Sequence, residues 1–307
     1  MTPYYQKNDI TIYHGDLREV LPTLDARVDH VATDPPYGFT FMGEDWDHSV
    51  PGPEYWRTIS DVCKPGASIL AFGGTRTYHR LACAIEDAGW EIRDCLMWLY
   101  SSGMPKCGDI GKRLAKQGKA ELAKQYTGFA AALKPAYEPI VLAMKPLDGT
   151  YAHNAETHGV AGMNIDACRI GDEVRYNPPA GNKGGTAAYN MGVVGMPQDA
   201  AGTTVSGRWP ANVMFDETPE GLSRYFYCGK ASQSERGAGN SHPTCKPYAV
   251  MEYLLNLLST PTGGLILDPF CGSGTTALAA RDLGRPFIGV ELDEHYCEII
   301  ANRLEAA

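Results

Sequence analysis

Short apolar, β-branched runs alternate with stretches of helical spacing through the first half of the chain. DITIYHGD and VDHVATDPPY read as strands that each deliver a carboxylate at the C-terminal end, with the helical LREVLPTL between them. SILAFGG, WEIRDCLMWLY and YEPIVLAMKP supply further strands, and RTYHRLACAIEDAG a helix between the first two of these. KCGDIGKRLAKQGKAELAKQYTGFAAALK reads as helix broken at Gly118. Alternation of this kind predicts an α/β fold with a parallel-rich sheet covered on both faces.

Periodicity fades from about residue 148 to 240, where Gly, Asn and Pro dominate, most plainly in YNPPAGNKGGTAAYNMGVVGMPQDAAGTTVSG. It returns with HPTCKPYAVMEYLLNLLS (helix), GLILDPF (strand), GSGTTALAARDLG (helix), PFIGVEL (strand) and the closing helix DEHYCEIIANRLE. Residues 1–147 and 241–307 are therefore expected to build one domain, with 148–240 inserted as loops or a small irregular unit. No internal repeat is visible.

Composition adds exclusions. At 44% hydrophobic and 21% charged, the 307 residues have an ordinary globular balance with a sizeable core. No apolar run approaches the roughly 18 to 20 residues of a membrane span. The opening MTPYYQKNDITIYHGD lacks the pattern of a secretion signal, so a cytoplasmic location is expected. The nine cysteines are scattered, without CxxC pairs or Cys/His clusters, so neither a metal site nor a disulfide framework is expected. A net charge of −9 is unfavourable for binding a phosphate backbone. It is unevenly spread, however, with eight bases against three acids between Lys106 and Lys145. A local basic patch is compatible with an acidic whole.

Candidate chemistry lies at two places. In GLILDPFCGSGTTALAA a strand runs through a glycine-rich turn directly into a helix, which lets backbone approach a ligand at the helix N-terminus. The next strand ends on Glu291, suited to accept hydrogen bonds from ribose hydroxyls. Asp268, Phe270, Gly272 and Gly274 with Glu291 thus describe an adenosine site, for a dinucleotide or for S-adenosyl-L-methionine. Upstream, His242, Thr244 and Lys246 open a helix whose polar mouth suits the methionine end of the latter, or simply cap that helix.

The second place is Asp34-Pro35-Pro36-Tyr37, projecting from the end of VDHVAT. By itself the tetrapeptide is equally a stiff surface turn. Prolines carry no N–H, so their carbonyls are left to face a ligand. The exocyclic amine of a base is a poor nucleophile because its lone pair is delocalised into the ring. The Asp34 carboxylate and the Pro35 carbonyl could bind its two hydrogens and free that lone pair, while Tyr37 stacks on a base that has left the helix. Hydride transfer has no use for this tetrapeptide, which argues against a nicotinamide enzyme. Cytosine C5 chemistry needs a nucleophilic cysteine in a Pro-Cys context, which the chain lacks.

DPPY followed by DPFCGSGTT resembles the amino-group DNA methyltransferases, and the order tetrapeptide, variable region, glycine loop resembles their β class. HGDLREVL resembles the segment that brings an acid, here Asp16, near the cofactor adenine, and HPTCKP the segment covering the methionine moiety. LKPAYEPIVLAMKP, MNIDACRI and GRWPANV look like a subgroup frequent in phages and prophages. The resemblance implies a Rossmann-like, seven-stranded S-adenosyl-L-methionine-dependent methyltransferase sheet, base flipping in duplex DNA, and a target-recognition role for 148–240. Asp at position 34 accompanies adenine N6 enzymes in that family, whereas Ser accompanies cytosine N4 enzymes. Adenine is the expected base, with cytosine N4 the alternative and RNA or a protein amide more remote.

For DNA contacts, Lys106, Lys112, Arg113 and Lys116 are candidates for phosphates. Arg175, Lys183 and Arg208 in the irregular region carry groups able to read base edges. That region holds seven bases against ten acids, so bulk charge cannot set its specificity. A homodimer and a cognate restriction endonuclease stay open as partners.

Overall fold

The computed structural model describes residues 1–25, 27–39, 48–101, 107–177, 203–216, 227–228 and 245–306. Its strands and helices follow the alternation in the sequence. The first half contains β1 (Tyr5–Lys7), β2 (Ile10–His14), α1 (Leu17–Val20), β3 (Val28–Thr33), α2 (Pro53–Val62), β4 (Cys63–Phe72), α3 (Tyr78–Asp87) and β5 (Glu91–Leu99). Next come α4 (Ile110–Lys116), α5 (Ala120–Gln125), β6 (Tyr137–Met144) and α6 (Tyr151–His158). A hairpin of β7 (Ile170–Asn177) and β8 (Thr203–Arg208) and the short β9 (Val213–Phe215) and β10 (Tyr227–Cys228) lead to the last part. That part is α7 (Tyr248–Leu257), β11 (Ile266–Asp268), α8 (Thr275–Asp282), β12 (Phe287–Glu291) and α9 (Glu294–Glu305).

The main sheet has the order β1-β2-β12-β11-β3-β4-β6-β5-β9-β10. Its seven central strands, β2 to β5 in that order, run parallel except β6, which pairs antiparallel with both β4 and β5. Helices cover both faces. One core holds Leu17, Trp56, Ile59, Leu81 and Ile85 from α1, α2 and α3 against the sheet. The other holds Val250, Leu254, Ala277, Ala280 and Ile300 from α7, α8 and α9. All six residues of β3 are buried although Asp29, His30 and Thr33 are polar, and β4 and β6 carry the apolar runs expected of strands covered on both faces. Each fully buried Leu, Ile or Phe contributes about 1.5 to 3 kcal/mol of apolar transfer.

Several buried polar groups tie this frame together, while His30 Nε2 and Trp98 Nε1 are buried without a hydrogen-bond partner among the described residues. Asp29 accepts from Lys64 Nζ at 2.8 Å and from the Leu265 N–H at 2.6 Å, which ties β3 to the turn before β11. Asn154 of α6 is fully buried, donates to the Pro65 carbonyl at 2.9 Å and accepts from the Asp148 N–H at 2.9 Å. The first residues after 148 thus pack into the core layers, and the region read as irregular contributes β9 to the sheet edge beside β5. No described helix is long and apolar enough to cross a membrane.

Candidate active site

Parallel strands deliver their C-terminal ends to one edge of the sheet, where β2, β3, β11 and β12 finish on His14, Thr33, Asp268 and Glu291. A cleft of about 1720 Å³ lies along this edge, bounded by Asp16, Glu291 and Gly272 toward one end and Asp34, Tyr37 and Glu138 toward the other.

The glycine loop leads from β11 into α8. Gly272 and Gly274 adopt φ of 52° and 80°, and a Cβ on Gly274 would lie 2.9 Å from Ile300, so only glycine fits there. Glu291 braces the loop: one carboxylate oxygen accepts the Gly272 N–H at 2.7 Å and the other the Asp293 N–H at 2.9 Å. Each oxygen keeps further acceptor capacity beside the cleft. Burial pushes the carboxyl up to about 7, against the pull of the Asp293 and Gly272 amides. The Gly15 N–H donates to the Glu291 carbonyl at 2.9 Å, which sets Asp16 beside it. Asp16 caps α1 through the Arg18 N–H at 2.8 Å and pairs with the Arg18 guanidinium at 2.5 Å, which lowers its pKa.

Asp268 takes a bracing position. It is 2% exposed and accepts from Thr33 Oγ1 at 2.7 Å, Thr276 Oγ1 at 2.6 Å and the Phe270 N–H at 3.2 Å. Burial outweighs those bonds and raises its carboxyl to about 6. Because Thr33 precedes Asp34, Asp268 couples the glycine loop to the tetrapeptide. Phe270 packs on Tyr55 and Trp56 at centroid distances of 6.3 and 6.1 Å. Cys271, 5% exposed, has its thiol pushed well up by burial and is held neutral in the turn.

At the other end, Asp34 is half-buried. One of its oxygens pairs with the Lys246 ammonium, and the other, Oδ1, is buried without a hydrogen-bond partner among the described residues. Lys246, expected on the methionine side, therefore has its ammonium on the tetrapeptide. It also lies 3.4 Å from Glu138 Oε2, and 5.3 and 5.0 Å from the ring centroids of Tyr37 and Phe72. Desolvation opposes its charge, but Asp34 and Glu138 outweigh it and raise the pKa. The Tyr37 hydroxyl donates to Glu138 Oε2 at 2.9 Å, and Thr77 Oγ1 donates to the Tyr37 carbonyl at 2.7 Å, holding the loop against α3.

Glu138 was not singled out by the sequence. It reaches the site because β6 runs backwards, so its first residues arrive where the parallel strands end. No cluster of three metal-ligating side chains occurs among the described residues.

The DNA candidates are scattered. Lys112, Arg113 and Lys116 are exposed on α4, which folds back on α5 across Gly118 at φ 77°. A Cβ on Gly111 would lie 2.7 Å from the Ala123 carbonyl, so the hairpin is tight. Leu133 and Lys134, which follow it, line the cleft, and Lys134 Nζ donates to the Ser101 carbonyl at 2.6 Å. Arg208 pairs with Glu173 across the β7–β8 hairpin at 2.6 Å. Lys106, Lys183, His242 and Thr244, and the side chain of Arg175, lie outside the described residues.

The doubly covered sheet, whose seven central strands include one reversed strand, with its glycine loop and edge cleft is the fold of S-adenosyl-L-methionine-dependent DNA methyltransferases. Among solved structures it is similar to the M1.HpyAVI–SAM complex (20% identity, 96% of this chain and 99% of that one, TM-score 0.51). It is also similar to the cytosine-N4-specific PvuII DNA methyltransferase (16%, 98% and 88%, TM-score 0.55). In sequence it is 27% identical over 246 residues to the type II methyltransferase M.HindIII of Haemophilus influenzae, spanning 79% of this chain and 64% of that protein. It is 25% identical to M2.DpnII of Streptococcus pneumoniae, spanning 99% of this chain and 92% of that protein. A family model described as DNA methylase, covering N6 and N4 enzymes, matches residues 28–302. The chain belongs to this amino-group DNA methyltransferase family.

Proposed function

We propose that the chain methylates the N6 amino group of adenine in duplex DNA, with S-adenosyl-L-methionine as donor. The observation that carries this reading is the state of Asp34: one oxygen fixed by Lys246, the other buried and unpartnered at the end of the cleft. A buried acceptor without a donor is costly, and an amine N–H supplies what it lacks. The Pro35 carbonyl takes the second hydrogen, and the lone pair is released from the ring. When bound, the cofactor supplies an electrophilic sulfonium methyl. Glu291 and Asp16 hold its adenosine, and Gly272 and Gly274 allow the close backbone approach. Tyr37 faces the extruded base. In this reading the order of tetrapeptide, variable region and glycine loop makes the enzyme a β-class member of the phage-like subgroup, with 148–240 as target-recognition region and α4 meeting phosphates. A cognate endonuclease and a homodimer fit the same reading.

Asp at position 34 favours adenine, and the likeness to a cytosine-N4-specific structure keeps N4-methylcytosine as the second reading. Mass spectrometry of nucleosides from DNA treated with the chain and S-adenosyl-L-methionine is expected to show N6-methyladenine. N4-methylcytosine alone overturns the choice of base.

A further inference from the structure

Two carboxylates and one ammonium meet at the reactive end of the cleft, where amine binding calls for a single carboxylate. Lys246, whose side chain is 9% exposed, bridges Asp34 and Glu138, and the Tyr37 hydroxyl donates to the same Glu138 oxygen. With Asp34 and Lys246 alone the ion pair would be neutral.

Building on the methyltransferase reading, we infer that Glu138 is a positioning residue for methyl transfer. It shares the Lys246 ammonium, so the Asp34 site keeps a net negative charge, and it fixes Tyr37 at the base face. Methyl transfer moves one positive charge from the sulfonium to the amine nitrogen as the N–C bond forms and the C–S electron pair stays on sulfur. The nitrogen then sheds one proton, for which Asp34 Oδ1 is the adjacent acceptor. A preorganised net negative charge beside that nitrogen favours the transition state over the ground state. Glu138 acts at one remove, through Lys246 and Tyr37, and so affects the chemical step more than cofactor affinity.

Single-turnover methyl transfer tests this, with saturating S-adenosyl-L-methionine and long unmethylated genomic DNA containing short target sites of any sequence. Glu138→Gln keeps the shape and removes the charge. It is expected to slow the chemical step on the order of 10- to 100-fold, with cofactor affinity within about threefold of wild type. Adding Lys246→Met removes the neutralising cation, and the double variant is expected to be faster than Glu138→Gln alone, a rescue that a merely structural role would not produce. Glu138→Asp keeps the charge and stands in should the glutamine variant fail to fold; it is expected to retain most of the rate, and a rate as low as that of Asp34→Ala overturns the inference. An active wild type matched by Glu138→Gln, or a double variant no faster than the single, also overturns the inference alone. A wild type that transfers no methyl group overturns the underlying reading with it.

Discussion

Replacing Glu291 by glutamine should weaken S-adenosyl-L-methionine binding and remove its pH dependence. The wild-type carboxyl is held up to about 7, chiefly by burial. Ribose hydroxyls donate to the ionised form, so below pH 7 binding must first pull off a proton, costing about 1.4 kcal/mol per pH unit. Because half of the carboxyl is already protonated at pH 7, the wild-type dissociation constant is expected to rise about five- to sixfold between pH 7 and pH 6, and close to tenfold per unit only below that. At pH 8.5 the glutamine variant should bind more weakly by about 1.5 to 3 kcal/mol, the worth of hydrogen bonds to a charged group. Its amide can accept from only one of the Gly272 and Asp293 N–H groups, so part of that loss comes from a loosened glycine loop. The pH profile isolates the charge, because the variant should be flat where the wild type slopes. Linkage gives a second sign. A folded pKa raised from 4.5 to about 7 contributes stability below pH 4.5, which is lost as pH rises through 7, and the cofactor-free variant should lack that decline. Isothermal titration calorimetry from pH 5.5 to 8.5 checks the binding claim. A wild-type affinity constant over that range would refute it.

Other expectations follow from single contacts. Replacing Lys112, Arg113 and Lys116 by alanine should weaken binding to all DNA sequences alike and reduce the salt slope by up to about 2.7, and an unchanged slope would make α4 a solvated face only. Thr276→Val removes a donor from the buried Asp268 carboxylate and should cost about 1 to 3 kcal/mol in urea unfolding, with the melting temperature falling accordingly. His30 is fully buried with its pKa lowered to about 4, by burial first, so it contributes stability above pH 6.5 that is lost as pH falls toward 4. His30→Asn, which keeps an acceptor for the Ser68 N–H, should show a shallower acid decline in urea midpoints than wild type.

Both halves of the site were legible in the sequence for one reason: strands that end on Asp268 and Glu291, or immediately before Asp34, announce carboxylates at a common edge. The rule that reveals these acids conceals Glu138, which begins a strand and reaches the edge only because β6 is reversed. Strand direction is set by pairing with β4 and β5, which local periodicity does not record. Lys246 was visible as a polar residue at a helix start, but its partner lies more than 200 positions away in the chain. α2 shows the converse, a helix with Trp56, Ile59 and Val62 on one face and Pro53 at its start, that the alternation of strands overshadowed. The break at Gly118 was readable because glycine alone takes the positive φ there without strain.

The central claim is that Asp34 binds the amine that receives the methyl group, apart from the place that holds the cofactor. Transfer of labelled methyl from S-adenosyl-L-methionine to duplex DNA, measured for wild type and Asp34→Ala alongside calorimetric cofactor binding by both, tests it most directly. Wild type is expected to label an exocyclic amine, and Asp34→Ala to bind cofactor with nearly unchanged affinity while transferring no label. Label on a ring carbon, or undiminished transfer by Asp34→Ala, would contradict it.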